Sequence, residues 1–384
     1  MEFEIIYNSN KQGKLFGRYI TNNHIKRLLD DLNTASNLKT SGFSVNNNSI
    51  YSYEIGSGTI KILIWSQMHG NESTTTKAIM DFLKFLNSDS VLANKYLQTF
   101  SFRIIPILNP DGAAVYTREN ANNIDLNRDF VSRSQPETNC LLDVYNKFKP
   151  DYCFNMHDQR TIFGIKSALK PATVSFLAPS LNENRNFNDN RTKAALLIAA
   201  MNKDLQKFIP NQVGRFDDGF NINCAGDYFQ SQGIPTILFE AGHFQNDYNR
   251  EETRKFIFYA LLSAMNFLQN DSFKNKDIDE YLNIPQNFNV FFDIIYKNVK
   301  TVDNNEEKII NFAIQYSEVL ANNTIEFVAK IVKIDSLDNS ESHLTIDAQS
   351  KLFTNNSNNF PMINDLANFK LNNIDIINGK MMKI

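Results

Sequence analysis

The chain has 384 residues, of which 42% are apolar and 21% charged, and its formal net charge is −3. This length predicts two domains at roughly 100–200 residues each. The composition excludes a disordered chain, a collagen and a coiled coil. The 42 acidic residues outnumber 39 basic residues, which are scattered along the chain. Because a nucleic-acid-binding protein needs a basic patch, we expect no nucleic-acid partner.

The sequence also bears on location. No apolar run approaches the roughly 20 residues of a membrane-spanning helix, and the opening residues lack the basic start and apolar stretch of a secretion signal. The three cysteines, at positions 140, 153 and 224, are far apart, which argues against disulfides and cysteine-bound zinc. We therefore expect a cytoplasmic protein that has no membrane partner.

Strand-like and helix-like stretches alternate over the first 270 residues. Residues 59–65 are a predicted strand whose alternate positions face opposite sides, and residues 73–86 form an amphipathic helix after it. Further strands are predicted at 102–108, 152–156, 174–177 and 236–239, and further helices at 137–148, 191–208 and 250–269. This alternation predicts an α/β fold, with a mixed, mostly parallel sheet flanked by helices.

The composition of the sequence changes after residue 269. Residues 270–279 are rich in Asn, Asp and Lys and are interpreted as a linker. Short strand-like runs follow at 290–296, 327–334 and 344–346. We therefore expect a catalytic domain over residues 1–270 and a small β-rich C-terminal domain, of unassigned role, over residues 280–384.

Three polar residues suggest a metal site. His69 and Glu72 lie three residues apart, where a predicted strand gives way to a helix, and His157 ends the strand at 152–156. In a parallel sheet both strands end at the edge where α/β proteins bind ligands. Two His and one Glu are a ligand set of catalytic zinc, which leaves the fourth position open for water. The pair His69–Glu72 alone also arises by chance.

Two further elements carry chemically useful side chains. A polar loop over residues 109–130, which we call the arginine loop, carries Arg118 and Arg128. These arginines are suited to binding a carboxylate or stabilising an oxyanion, but they could also be surface arginines. Glu240 closes the apolar strand at 236–239. A buried carboxylate there is costly without a partner. It could be a general base, or it could pair with a buried Arg or cap a helix.

The His69–Glu72 pair, the arginine loop, His157 and Glu240 follow one another along the chain. In this order they resemble the zinc carboxypeptidases of the carboxypeptidase A type, or metallocarboxypeptidases. The most specific match is the segment RENANNIDLNR, residues 118–128, which is similar to that family's R-x-N-A-N-G-x-D-L-N-R signature. The resemblance spans roughly residues 60–245. It implies a metalloprotease, a hydrolase that cuts the C-terminal peptide bond of a substrate with a free carboxylate.

The resemblance also implies a role for each matching residue. His69, Glu72 and His157 would bind one zinc ion per chain, and Glu240 would be the general base and acid. Arg118 would stabilise the oxyanion, and Asn127 and Arg128 would hold the substrate's terminal carboxylate. Asp125 would accept the second ring proton of His69.

Three features depart from the family pattern. No Tyr lies about twenty residues before Glu240, and Tyr228 is the nearest. Asp158 follows His157 where small or hydroxylated residues are more usual, and His243 is either an extra proton carrier or structural.

Substrate specificity has a candidate in the segment before Glu240. Asp217 or Asp218 could recognise a cationic or amino-bearing terminal residue of the substrate.

A second family is also compatible with part of the pattern. Zinc deacylases of the aspartoacylase and succinylglutamate desuccinylase type share the H-G-N-E start, a D-L-N-R-x-F segment and an appended β-rich domain. Their substrates would be acylated amino acids. The N-P-D-G turn at residues 109–112 and the long arginine loop favour the peptidase.

Overall fold

The computed structural model describes residues 2–32, 37–270, 273, 277–303, 306–335, 337–338, 340–355 and 359–381. It divides the chain into two compact units: one contains the residues up to 159 and residues 172–287, and the other contains residues 160–171 and those from 288 onward. Within the described part of the chain, no helix is long and apolar enough to cross a bilayer.

The first unit contains a mixed sheet of eight strands. In spatial order these are β1 (Leu38–Phe43), β2 (Ser49–Ile55), β4 (Phe100–Ile105), β3 (Ile60–Ser66), β5 (Tyr152–Asp158), β10 (Thr236–Ala241), β8 (Val174–Leu177) and β9 (Val213–Arg215). The central strands β4, β3, β5 and β10 are parallel to their neighbours within this group. Strands β1, β2 and β8 pair antiparallel with their neighbours toward the centre. The predicted mixed, mostly parallel sheet is confirmed.

Helices cover both faces of this sheet. The first unit contains α1 (Glu2–Asn10), α2 (Asn22–Asp31), α3 (Thr74–Leu86), α4 (Val91–Thr99), α5 (Pro110–Val115), α6 (Pro136–Phe148), α7 (Asp189–Leu205), α8 (Ala225–Ser231), α9 (Glu251–Gln269) and α10 (Asp279–Leu282). A single 3₁₀ turn, Leu126–Arg128, lies in the arginine loop. The sequence did not predict α1, α2, α4 or the short helices α5, α8 and α10.

Strand β3 shows why the sheet needs helices on both sides. Its Ile62 and Ile64 belong to the larger apolar core, which α3, α7 and α9 complete. Its Leu63 and Trp65 belong to a second core, which α6 and α8 complete. All four side chains are fully buried. The alternation predicted over residues 59–65 therefore separates two cores, as expected for a strand buried on both faces.

The second unit is built from strands. One four-stranded sheet has the order β14 (Thr324–Ile334), β13 (Glu306–Ala321), β12 (Phe291–Asp303) and β15 (Glu341–Asp347). The other has the order β16 (Phe353–Thr354), β17 (Phe369–Leu371), β18 (Ile374–Ile377) and β19 (Lys380–Met381). Aromatic rings, among them Tyr296, Phe312 and Phe369, fill the core of this unit. The predicted β-rich region is confirmed.

The boundary between the units differs from the division expected from the sequence. Residues 277–287 belong to the first unit, where Tyr281 is buried and its hydroxyl oxygen accepts a hydrogen bond from the amide of Ala178 at 3.1 Å. Strands β6 (Phe163–Ile165) and β7 (Lys170–Pro171) form a small sheet with β11 (Phe288–Asn289) in the second unit. Half of the expected linker, residues 270–279, lies outside the described residues. Residues 160–171 are far in sequence from the rest of the second unit, so the sequence alone did not indicate that they belong to it.

A buried ion pair joins two helices of the first unit. Asp81 of α3 and Arg254 of α9 are fully buried, and two guanidinium nitrogens each lie 2.6 Å from a carboxylate oxygen. Arg254 also donates hydrogen bonds to the carbonyl oxygens of Gln12 and Leu15. The pair thereby fixes the N-terminal segment on the helical layer.

We predict that Asp81→Asn lowers the free energy of unfolding by about 3 kcal/mol, because it removes the buried carboxylate charge that binds two nitrogens of the Arg254 guanidinium and leaves only Glu251, 3.0 Å from the third nitrogen. Chemical denaturation would measure the loss. Asp30→Asn is the control, since its partner Lys26 forms an exposed pair that contributes little. Equal effects of the two substitutions would contradict this account of the buried pair.

Candidate metal centre and active site

Three neighbouring parallel strands deliver polar side chains to one edge of the sheet. His69 lies three residues beyond the end of β3, while His157 and Glu240 lie near the ends of β5 and β10. Glu240 is the direct partner of His157 in the register of β10 and β5. Since parallel strands all point the same way, their carboxyl ends place these groups together.

The candidate ligand atoms converge closely. Nδ1 of His69 lies 2.8 Å from Oε1 of Glu72, and Nδ1 of His157 lies 2.8 Å from Oε2 of the same carboxylate. The two Nδ1 atoms are 3.1 Å apart. Both imidazoles are only 2% exposed, and Glu72 is 12% exposed. Among the described residues, these three form the one cluster of His, Cys, Asp and Glu side chains that could hold a metal ion.

The cluster fits a zinc ion. Two nitrogens that each lie about 2.0–2.1 Å from a tetrahedral zinc are roughly 3.3 Å apart, close to the spacing of the two Nδ1 atoms. Nη1 of Arg118 also lies 3.2 Å from Nδ1 of His69. Because guanidinium can only donate, this Nδ1 is the acceptor in that contact. The lone pair of Nδ1 then faces the negatively charged Glu72 carboxylate, and a cation bound between them would remove this repulsion.

The electrostatics of Glu72 and His157 favour the forms that bind metal, whereas burial would lower the pKa of His69 but Glu72 and Asp125 outweigh it and raise that pKa. Burial alone would raise the pKa of Glu72, but His69 and His157 outweigh it and hold that pKa well below its ordinary value. Burial lowers the pKa of His157, although Glu72 opposes the shift. A carboxylate and a neutral imidazole are the protonation states that metal binding requires.

The turn that carries His69 and Glu72 is packed against a second turn. A Cβ atom on Gly70 would lie 2.0 Å from the carbonyl carbon of Gly112, so only glycine allows the two backbones to approach. Asn109 begins α5 by accepting a hydrogen bond from the amide of Gly112 and donates to the carbonyl oxygens of Met68 and Glu119. The N-P-D-G turn therefore packs against the turn that carries His69 and Glu72 and fixes the start of the arginine loop.

Asp125 organises the arginine loop around His69. Its Oδ1 lies 3.0 Å from Nε2 of His69, and its Oδ2 accepts hydrogen bonds from Nε and Nη2 of Arg118 at 3.1 and 3.0 Å. Burial would raise the pKa of Asp125, yet His69 and Arg118 bring it well below its ordinary value. Nη1 of Arg118 remains directed at the cluster, 3.4 Å from Oε1 of Glu72.

Asn127 and Arg128 lie on the 3₁₀ turn that follows Asp125. The Asn127 side chain accepts a hydrogen bond from the amide of Ala225, the first residue of α8, at 2.8 Å. Arg128 is exposed, and its Nη1 contacts the carbonyl oxygen of Asn127 at 2.7 Å and Sγ of Cys224 at 3.1 Å. The loop thus presents a solvent-accessible guanidinium anchored beside α8.

Glu240 is held in a setting that disfavours its charge. Its Oε2 atom is buried and has no hydrogen-bond partner among the described residues. Burial raises the pKa of Glu240 well above its ordinary value, the nearby Glu72 and Asp158 raise it further, and Arg118 and Arg250 oppose the shift. Such a carboxyl group holds its proton more readily than an ordinary glutamate.

Two structural roles near the site were not foreseen. Asp158, which departs from the family pattern, accepts hydrogen bonds from the amides of Thr74 and Thr75 at 2.9 and 3.3 Å. It thereby satisfies the N-terminus of α3. Arg250 donates hydrogen bonds to the carbonyl oxygens of Gln159 and Ala241, the residues that follow β5 and end β10. The contact of Asp158 with Thr74 and that of Arg250 with Gln159 join residues 84 and 91 positions apart, so no local sequence pattern indicates them.

Other residues singled out from the sequence lie outside the cluster. Tyr228 packs against Phe130, and its hydroxyl oxygen accepts a hydrogen bond from Arg133. The buried ring of His243 packs against Tyr248. Asp218 forms an ion pair with the buried Arg191 at 2.6 Å, so its carboxylate is already engaged. The exposed Asp217 accepts a hydrogen bond from the amide of Gly219 at 2.8 Å.

Comparison with known proteins agrees with this geometry. Residues 21–168 match the model of the family described as zinc carboxypeptidase. Carboxypeptidase 2 of Trichophyton tonsurans is 26% identical over 150 residues, which cover 38% of this chain and 28% of that protein. Carboxypeptidase SOL1 of Arabidopsis thaliana is 28% identical over 147 residues, which cover 32% of this chain and 30% of that protein. The matched part thus spans less than a third of these relatives.

A solved structure supports the fold. The metallo-carboxypeptidase from Burkholderia cenocepacia superposes with a TM-score of 0.54 over 66% of this chain and 70% of that one, at 18% identity. The matched family segment contains His69, Glu72 and His157, whereas Glu240 lies beyond it. The zinc expected from the sequence agrees with the family's description and with the His–Glu–His cluster. The resemblance to the zinc carboxypeptidases is confirmed over residues 21–168.

Proposed function

We propose that the chain is a zinc-dependent carboxypeptidase that hydrolyses the last peptide bond of a substrate and releases its C-terminal amino acid. The observation that carries this proposal is the convergence of His69, Glu72 and His157 at the sheet edge that also bears Glu240. Two imidazoles and a carboxylate would hold the ion and leave a coordination position open. When bound, zinc would supply Lewis-acid chemistry that polarises the scissile carbonyl and acidifies water.

Glu240 is the proposed general base and acid. A general base needs a pKa near the working pH, and burial beside Glu72 and Asp158 raises the pKa of Glu240 in that direction. In the proposed reaction, Glu240 takes a proton from the attacking water and returns it to the leaving amine. Its Oε2 atom, which lacks a partner among the described residues, is available to receive that proton.

The arginine loop supplies the proposed charge stabilisation. Arg118 directs Nη1 at the cluster while Asp125 holds its other nitrogens, which suits it to an oxyanion that develops on the substrate. Arg128, with Asn127 beside it, is exposed at the mouth of the loop. Its guanidinium could bind the terminal carboxylate through two parallel hydrogen bonds.

The alternative of a zinc deacylase is not favoured, because the relatives named above are carboxypeptidases. Recognition of a cationic terminal residue by Asp218 is also disfavoured, since Arg191 neutralises that carboxylate. A peptide substrate with a free C-terminus, the lack of a nucleic-acid partner and a cytoplasmic location remain predictions.

Mass spectrometry of a mixed peptide pool would test the activity. The pool, which includes acylated amino acids, is incubated with the zinc-loaded protein and with protein treated with a chelator. We expect loss of single residues from the carboxyl end, only when metal is present. Release of acyl groups from the acylated amino acids, with the peptides left intact, would transfer the assignment to the deacylases. The absence of any metal-dependent product would contradict the proposal.

We predict that Glu240→Gln retains stoichiometric zinc but lowers kcat by roughly 10²–10⁴-fold, since an amide cannot accept the proton. Metal analysis of the purified variant and steady-state kinetics would check both parts. His69→Ala is the contrasting variant, because it should lose zinc and activity together. A Glu240→Gln protein that turns over at the wild-type rate would remove the general-base role.

We predict that Arg128→Ala lowers kcat/KM for peptides with a free C-terminus by roughly 10- to 100-fold, as expected for a lost charge-assisted hydrogen bond. Zinc content should not change. Arg133→Ala is a matched control, since Arg133 is also an exposed arginine and lies just after this loop, but it binds Tyr228. The carboxylate role would be wrong if Arg128→Ala reduced the activity on free and C-terminally amidated peptides equally.

A further inference from the structure

Gln67 lies between the end of β3 and the metal turn, which we define as residues 69–72. Its side chain is 1% exposed, and its backbone adopts the left-handed conformation, with φ at 49°. Glycine would adopt this conformation without steric cost, whereas a residue as long as glutamine does so uncommonly. Such residues cluster at functional sites, where the surrounding structure holds them.

The side-chain amide of Gln67 donates two hydrogen bonds and accepts one within the protein. Nε2 donates to the carbonyl oxygen of Gly70, within the metal turn, and to that of Ile20, both at 2.8 Å. Oε1 accepts a hydrogen bond from Oγ1 of Thr76, in the first turn of α3, also at 2.8 Å. The side chain therefore links the metal turn to two separate elements.

The first of these elements is the N-terminal strap, which we define as residues 11–20. The carbonyl oxygen of Arg18 accepts a hydrogen bond from Oγ of Ser73, directly after the metal turn, at 2.5 Å. The hydroxyl of Tyr19 donates to the carbonyl oxygen of Ala114 at 2.7 Å. The strap precedes the segment that matches the zinc carboxypeptidase family, residues 21–168. This chain thus braces its metal turn from outside the matched segment.

The backbone of Gln67 adds a fourth link. Its carbonyl oxygen accepts a hydrogen bond from the amide of Asn109 at 3.1 Å, and Asn109 begins the turn whose Gly112 packs against Gly70. The metal turn itself is closed by a hydrogen bond from the amide of Glu72 to the carbonyl oxygen of His69. The position of both ligands in this turn therefore depends on contacts that meet at Gln67.

We propose that Gln67 is a positioning residue, which holds His69 and Glu72 in the geometry that binds zinc by tying the metal turn to the strap and to α3. This inference rests on the proposed zinc site. The hydrogen bonds of the Gln67 side chain go to Ile20, Gly70 and Thr76, and not to the coordinating atoms of His69 and Glu72. Residues that orient metal ligands from behind typically change metal affinity by 10- to 100-fold when they are replaced.

Two variants separate the amide from the backbone conformation. Gln67→Leu removes all three side-chain hydrogen bonds and keeps the bulk of the side chain. Gln67→Gly removes the same bonds but relieves the left-handed backbone, so it tests the amide even if Gln67→Leu does not fold. The control is Gln315→Leu, because Gln315 is a buried glutamine of the second unit that bonds Thr161 and Asp293.

Zinc affinity, measured by competition with a chromophoric chelator, is the readout, and the visible spectrum of the cobalt-substituted protein is a second one. We expect both Gln67 variants to bind zinc roughly 10- to 100-fold more weakly than the wild type and to show an altered cobalt spectrum. Gln315→Leu should lower stability but leave both signals unchanged.

The outcomes distinguish this inference from the proposed function. Wild-type zinc affinity and an unchanged cobalt spectrum in Gln67→Gly would overturn the positioning role while leaving the zinc site intact. A wild-type protein that binds no zinc would overturn the zinc site, and the positioning role with it. An equal loss of affinity in Gln315→Leu would also contradict the inference, because the effect would then follow from any buried glutamine.

Discussion

The burial of two imidazoles and a carboxylate against one another is the constraint on which the first unit depends. Water is largely excluded from His69, Glu72 and His157, so their polar atoms must be satisfied by protein groups or by a cation. The mutual approach of three ligand atoms is compatible with a cation at their centre. The surrounding structure keeps these groups in place by fixing the backbone on every side of them.

The fixing uses different means for each ligand. His157 is part of β5 and is placed by the sheet itself. His69 and Glu72 lie on a turn, so they need additional contacts: Gly70 against Gly112, Asp125 on the His69 ring and the amide of Gln67 on the carbonyl oxygen of Gly70. The polar residues around the centre thus divide between those that could meet a substrate and those that hold the backbone.

The sequence predicted the elements that carry strong local periodicity. Strand β3 alternates between two cores, and the apolar residues of α3 recur at helical spacing, so both were predicted to within a residue or two. Strand β1, with its polar stretch Lys39–Gly42, shows no such alternation and was missed. Strand β13 begins with charged residues and was also missed. The transfer of residues 160–171 to the second unit depends on pairing with β11, which is a long-range property.

The same distinction applies to the site. Residues recognisable by chemical type and spacing, such as His69, Glu72 and the Arg118–Arg128 motif, were identified from the sequence alone. Asp158, Gln67 and Arg250 act through contacts with distant backbone groups, and their residue types carry no signal of that role. Asp218 was a candidate for specificity until its ion pair with Arg191, 27 residues earlier in the chain, became visible.

In the proposed site, His69, Glu72 and His157 hold one zinc ion. Zinc K-edge X-ray absorption of the loaded protein tests it most directly, because it reports the number and type of the ligands. We expect two imidazole nitrogens together with carboxylate or water oxygens, no sulfur, and the loss of one imidazole in His157→Ala. A sulfur ligand, or a zinc environment that is unchanged in His157→Ala, would contradict it.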